Sequence, residues 1–241
     1  MITYQNLTII GTSHIAQQSV LQVEKTLQTK EYHIVALELD RQRFMGIQEQ
    51  ERKGIKLRDI KKVGFKGYLF SLIGAYAEKK LGESVGTKPG AEMLKAIEIA
   101  REKKIQIALI DQDVQVTLQK ISKAINRKVK WQFFKDILRG IFFRKKEMKR
   151  LGITNFDLRT VPESVVIEKM IQDVQTRYPS LYKVLIEERN EIMAKKLHHL
   201  IEAYPEKQIV AIVGAGHEKE IIRIIKELQK IEQKNIKNNK E

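Results

Sequence analysis

The chain has 241 residues, 42% hydrophobic and 31% charged, with no cysteine and a formal net charge of +15. That length is enough to bury a sizeable core in one domain. Disulfides and thiolate-held zinc are excluded, so any metal must sit on His, Asp or Glu.

Four short apolar runs read as buried strands of the parallel-sheet kind: Leu7–Ile10, Ile34–Leu37, Ile107–Ile110 and Ile209–Val213. Helical patterns fill the spaces between them, around Gly64–Leu81, Ala91–Lys103, Val114–Ile125 and Trp131–Arg150. Pro162 suits the first turn of another helix, and Pro179 opens a long one reaching about Tyr204. Strands alternating with helices, without a hairpin signal such as Asn-Gly, predict an α/β fold. Its sheet is expected to be mainly parallel and flanked by helices, with a large helical insertion in the middle of the chain. The expected organisation is one domain over residues 1–230, with the insertion near 64–103 and 127–177. The basic end, 231–241, has little to bury and is expected to be disordered.

The residues just past each strand carry the chemistry. The first strand ends in Gly11-Thr12-Ser13-His14, the second in Glu38-Leu39-Asp40, the third in Asp111-Gln112-Asp113 and the fourth in Gly214-Ala215-Gly216-His217. In an open parallel sheet these C-terminal ends share one edge, where ligands bind. Two imidazoles and several carboxylates are therefore expected together. Gly11, Gly214 and Gly216 let the backbone turn sharply and bring N–H groups near a ligand, beside the N-terminus of the next helix. A single Gly-x-x-His is common by chance. Two of them, after the first and last strands, weigh towards function. The third glycine of a dinucleotide fingerprint is missing at Glu218-Lys219, which argues against a nicotinamide cofactor. His33, His198 and His199 read as structural or surface residues.

Arg189 is anomalous. Leu181, Leu185, Arg189, Met193 and Leu197 recur every four residues, so an arginine falls on an apolar stripe. It needs a carboxylate partner such as Glu38 or Asp111, or a bound anion. It would then hold a site carboxylate or stabilise developing negative charge. From Arg127 to Arg150, ten basic residues meet only Asp136 and Glu147, with Trp131, Phe134, Leu138, Ile141 and Phe142 at near-helical spacing. Such a helix suits a lid packed on the core, or peripheral contact with an anionic membrane. No nucleic-acid-binding module surrounds it, so nucleic acid is not an expected partner. No apolar run reaches the roughly 18 to 20 residues of a membrane span, and the N-terminus lacks a signal-peptide pattern. The protein is expected in the cytoplasm, with membrane contact, if any, peripheral. The sequence is silent on oligomeric state.

Several segments resemble, in order, the motifs of the TraB/PrgY family, which is related to the Tiki proteins. IIGTSHIAQQSVLQV resembles its opening motif. VALELDRQRF resembles the second, with Glu38 and Arg43 at the acidic and basic positions. GTKPGAEMLKAIEIA and IALIDQDVQVTLQKI resemble the central motifs, EERNEIMAKKL the helical motif with Arg189, and IVAIVGAGHEKEI the closing Gly-x-x-His. The resemblance implies a fold akin to the erythromycin-esterase-like and ChaN-like proteins. It also implies a polar site of two histidines, a glutamate and an arginine. Tiki relatives are divalent-metal-dependent peptidases favouring manganese or cobalt, and PrgY-like relatives lower the activity of peptide pheromones. Carried over, His14, His217 and Glu38 would hold a divalent metal (manganese, cobalt or zinc), with Glu38 alternatively the base that activates water. Arg189 and Arg43 would hold Glu38 or stabilise the oxyanion. The substrate would be a peptide or small anion, either hydrolysed or merely bound by a non-catalytic regulator. The chain departs from the family at Gln112, where an arginine is usual, and many prokaryotic relatives continue into a C-terminal membrane region not seen in this sequence.

Overall fold

The computed structural model describes residues 1–13, 16–48, 90–142 and 164–238. The expected helix at Gly64–Leu81, Pro162, and the basic residues beyond Phe142 (Arg144, Lys145, Lys146, Lys149 and Arg150) lie outside the described residues. Within them the order is β1 (Ile2–Tyr4), β2 (Leu7–Thr12), α1 (Gln17–Thr29), β3 (Ile34–Leu37), α2 (Arg41–Gln48), α3 (Ala91–Glu102) and β4 (Gln106–Leu109). Then come α4 (Val114–Ala124), α5 (Arg127–Phe142), α6 (Ser164–Arg177), α7, β5 (Ile209–Gly214) and α8 (Glu218–Asn238). Helix α7 joins α-helical Pro179–Tyr182, π-helical Lys183–Glu187 and α-helical Glu188–Ala203.

The protein is α/β, with a five-stranded sheet in the order β1-β2-β5-β3-β4. β2, β5, β3 and β4 run parallel, and among the described residues only β1 is antiparallel to its neighbour. Because side chains alternate across a strand, the apolar runs feed two cores. Leu7, Ile9, Ala36, Ala211 and Val213 meet Met193, Leu197 and Ile201 of α7 and Ile221 and Ile225 of α8. Ile10, Val35, Leu37, Val210 and Ile212 meet Val23 and Leu27 of α1 and Met93, Ala96 and Ile97 of α3. Both faces of β2, β3 and β5 are covered, which is why they read as continuous hydrophobic runs, while β4 at the edge is only partly buried.

This layering positions the site. The last strand in the chain, β5, lies between β2 and β3, and its helix α8 covers one face. Helices following β2 and β3 cover the other. The chain therefore leaves neighbouring strand ends in opposite directions, opening crevices on both sides of β5 at its C-terminal end.

Two elements differ from expectation. The β1–β2 hairpin was not legible as one, since its turn is Gln5-Asn6, with Gln5 at φ 53°. Long-range bonds hold it: Asn6 Nδ2 donates to Tyr204 O at 2.8 Å and Lys207 O at 2.9 Å, and Tyr4 Oη donates to Gln229 Oε1 at 2.5 Å. At the other end, α8 runs on to Asn238 although residues 230–235 are exposed. Helix α5 is tethered through Asp136, which accepts from Arg177 Nη1 at 2.8 Å and Tyr178 Oη at 2.7 Å. Trp131 and Phe133 on the same helix are 60% and 48% exposed. No helix among the described residues is long and apolar enough to cross a membrane.

Replacing Asn6 with alanine removes its bonds to two carbonyls, of which Tyr204 O keeps Lys207 N at 3.1 Å, and loosens the hairpin. A loss of about 1–3 kcal/mol is expected, read as a lower urea midpoint at unchanged slope.

Candidate functional site

Four strand ends and helix α7 meet at the crevice beside β5. Glu38 is the first residue after β3 and is 3% exposed. Its Oε2 accepts from Gly214 N at 2.5 Å and its Oε1 from Arg189 Nη2. Asp111, after β4, is equally buried. Its Oδ1 accepts from Arg189 Nε at 3.0 Å and from Gln112 N at 2.7 Å, and its Oδ2 from Arg189 Nη2 at 2.8 Å and from Arg43 Nη2. Arg43 also donates from Nε to Asp40 Oδ2 at 2.7 Å.

Arg189 thus resolves the anomaly on its apolar stripe by pairing with both Glu38 and Asp111. Its Nη1 donates to Leu185 O at 3.1 Å, within the π-helical turn. Four of the five guanidinium N–H donors are then taken by protein acceptors. Burial pushes the Asp111 carboxyl up, but Arg189 and Arg43 outweigh that and hold it below the usual carboxylate range. For Arg189 and Arg43, burial lowers the pKa, while the adjoining carboxylates outweigh it and raise it.

His217 enters from the turn between β5 and α8 and is 6% exposed. Its Nδ1 lies 2.6 Å from Asn190 Oδ1, and its Nε2 lies 3.6 Å from Glu38 Oε1. A carboxamide oxygen only accepts, so Nδ1 donates to it, and Nε2 is the ring nitrogen turned towards the glutamate. Asn190 is 1% exposed, and its Nδ2 has no hydrogen-bond partner. His14, the other imidazole that the sequence marks, lies outside the described residues.

The glycines have distinct surroundings. Gly11 N donates to Glu218 Oε1 at 2.8 Å, and a Cβ on Gly11 would fall 2.4 Å from Glu218 Cδ. A side chain there would displace the carboxylate. Gly214 N meets Glu38, as described, and a Cβ on Gly216 would lie 3.2 Å from Ile171 Cδ1. Gly11, Gly216, Ala215 and Asn190 line a cleft of about 450 Å³, with Ile167, Ile171, Tyr182 and Ile186 as apolar wall. Glu168, Glu218, Glu220 and Lys219 are also at its edge.

The other marked residues divide. Arg43 reaches Asp40 and Asp111, with no bond to Glu38 among those described. Asp40 Oδ1 accepts from Gln42 N at 2.8 Å and Asp113 Oδ1 from Gln115 N at 2.7 Å, so both also act at helix starts. Gln112 donates to Thr117 Oγ1 at 2.7 Å, and Lys120 Nζ donates to Gln112 Oε1 at 3.3 Å. A cation therefore stands beside the position where the resembled family usually has one. Asn190 escaped the sequence reading although a signal existed. It begins the series Asn190, Met193, Ala194, Leu197 and Ile201, all buried on the core side of α7, so a polar residue there required a partner.

Removing Arg189 takes the guanidinium from Glu38 and leaves Asp111 with Arg43 as its remaining arginine. Arg189→Met is expected to cost about 3–5 kcal/mol near neutral pH. The sign of its pH dependence is set by Asp111. A carboxyl held below its unfolded pKa contributes stability above the ordinary aspartate value, and that contribution is lost as pH falls through the lowered folded value. The gap between wild type and variant in chemical denaturation should therefore narrow on acidification. A constant gap from pH 7 to pH 3 would contradict the assignment.

A sequence profile of the TraB/PrgY/gumN family matches residues 2–233. An uncharacterized protein of Methanocaldococcus jannaschii is 34% identical over 225 residues, covering 93% of this chain and 54% of its own length. TraB domain-containing proteins of Bos taurus and Mus musculus are 23% and 22% identical over 233 residues, covering 87% of this chain and 59% and 60% of their own lengths. The chain thus spans about half to three-fifths of these relatives. With a profile match over residues 2–233, nearly the whole chain, this protein belongs to the TraB/PrgY/gumN family.

Proposed function

We propose that the crevice beside β5 is the centre of a divalent-metal-dependent hydrolase acting on peptides. The observation that carries the reading is the setting of His217. Its Nδ1 is held by Asn190 at 2.6 Å, while Nε2 looks towards Glu38 Oε1 at 3.6 Å. Fixing one ring nitrogen by hydrogen bond is how proteins orient an imidazole ligand. A nitrogen and a carboxylate oxygen at that separation can share one cation at ordinary bond lengths of about 2.0–2.2 Å. The donor set, imidazole and carboxylate without thiolate, suits manganese, cobalt or zinc. His217 and Glu38 would hold the ion, with His14 as the further imidazole the sequence supplies. A cation there would supply Lewis acidity towards the substrate carbonyl and the attacking water.

The remaining roles belong to the chain. Alternatively to holding the ion, Glu38 is the base: it accepts a proton from water as the water oxygen bonds to the peptide carbonyl carbon, and returns it to the amine nitrogen as the C–N bond breaks. Arg189 and Gly214 N keep the Glu38 carboxylate in place, and Arg189 is a positioning residue because its donors are committed to protein acceptors. Asn190 holds the His217 ring through Oδ1 and borders the cleft. The cleft favours a peptide over a small anion, since three glutamates and a single lysine line it beside an apolar wall.

The test is a peptide library incubated with the purified chain and manganese, read by mass spectrometry. Metal-dependent cleavage that chelator abolishes is expected, with Glu38→Gln and His217→Ala each lowering it by about 100-fold or more. Asn190→Ala should weaken manganese binding by about 10–100-fold. Peptides retained intact would replace hydrolysis with a regulator that binds without turnover. Neither cleavage nor retention would end both readings.

A further inference from the structure

Away from the crevice, α7 and α8 bring a second set of ligand-type side chains together. His198 and Glu202 stand one turn apart on α7, and Glu232 faces them from α8. Among the described residues this is the one group of three or more His, Cys, Asp or Glu whose ligand atoms gather, all within 4.8 Å of one another. His198 is 7% exposed, and neither of its ring nitrogens makes a hydrogen bond. Its Nε2 lies only 2.9 Å from Glu232 Oε1, but the ring N–H direction misses the carboxylate. A buried imidazole without hydrogen bonds is costly. This one has two carboxylates beside it, both on exposed residues.

We propose that His198, Glu202 and Glu232 form a zinc site that clips α8 to α7. One imidazole nitrogen and two carboxylate oxygens make a three-ligand set for zinc, with water completing four-coordination. The two negative charges balance the ion. A spacing of four residues places His198 and Glu202 on one helix face. Glu202 and Glu232 are exposed, so closing the separation to bonding distance needs only rotation of flexible carboxylates about a ring already fixed by burial. The clip also accounts for the length of α8. Among the residues whose burial is described its last buried one is Gln229, and residues 230–235 are exposed, yet the helix continues to Asn238. Without an ion this stretch has little but its own propensity, which is weak support for an isolated end. Glu202 also accepts from Gln229 Nε2 at 3.4 Å, which ties the site to the last packed residue of α8.

The experiment titrates the full chain, freed of metal by dialysis, with zinc chloride. Calorimetry and elemental analysis count bound zinc, and hydrogen exchange follows residues 226–238. Glu202→Gln/Glu232→Gln changes exposed side chains only and keeps the buried imidazole, so the fold is preserved. His217→Ala separates this site from the crevice. His217→Ala should retain a zinc ion that the double variant lacks. At zinc about tenfold above its Kd, exchange in 226–238 of the wild type should slow about tenfold, with no change in the double variant. The proposal is overturned if the double variant binds as much zinc as wild type with equal affinity, if the only bound zinc depends on His217, or if zinc leaves exchange in α8 unaltered.

Discussion

The guanidinium of Arg189 holds the crevice together. It reaches from α7 to Glu38 after β3 and Asp111 after β4, and both carboxylates are almost fully buried. Each charge is there because the other is. Ion pairs of this depth contribute little net stability compared with well-packed apolar side chains, but losing one partner is severe. The arrangement therefore fixes geometry more than it adds stability. It sets Glu38 in one rotamer, with Gly214 N on its other oxygen, and leaves little freedom at the end of β3.

Helix α7 contributes from one short stretch. Its π-helical turn ends at Glu187, and Arg189 and Asn190 come almost at once after it. π-turns often occur where a helix must present side chains to a site. Here Arg189 returns a hydrogen bond to Leu185 O inside that turn. Neighbouring residues on α7 then serve different partners, Arg189 the two acids and Asn190 the imidazole of His217. Displacing this turn would move both contacts together.

The crevice and the α7–α8 cluster contrast physically. In the crevice, opposite charges are already matched inside the protein, and Asn190, which holds His217, lines the neighbouring cleft. Between α7 and α8 the carboxylates stand on exposed residues around a buried ring that lacks hydrogen bonds. The first arrangement restrains its members before any ligand arrives, whereas the second leaves its carboxylates free to close on one. Both depend on α7 lying against β5 and α8 on one face of the sheet.

The sequence by itself determined the α/β class and nearly every strand, because a parallel strand covered on both faces must be apolar throughout. It also determined which residues end those strands, since turning out of the sheet needs glycine or a polar residue. Arg189 was legible because a charge on an apolar stripe demands a partner. The strand ends offered Glu38 or Asp111 as that partner, and only the tertiary structure decided that both serve at once: they are 151 and 78 residues away, and no local pattern records which strand ends become neighbours. It likewise decided that β5 inserts between β2 and β3, and that Gly11 lies beneath Glu218. Asn190 became the partner of His217 in the same way, and the β1–β2 hairpin closed without a turn signal because distant residues anchor it. Periodicity reports which side of an element is buried, whereas pairing depends on the path of the whole chain.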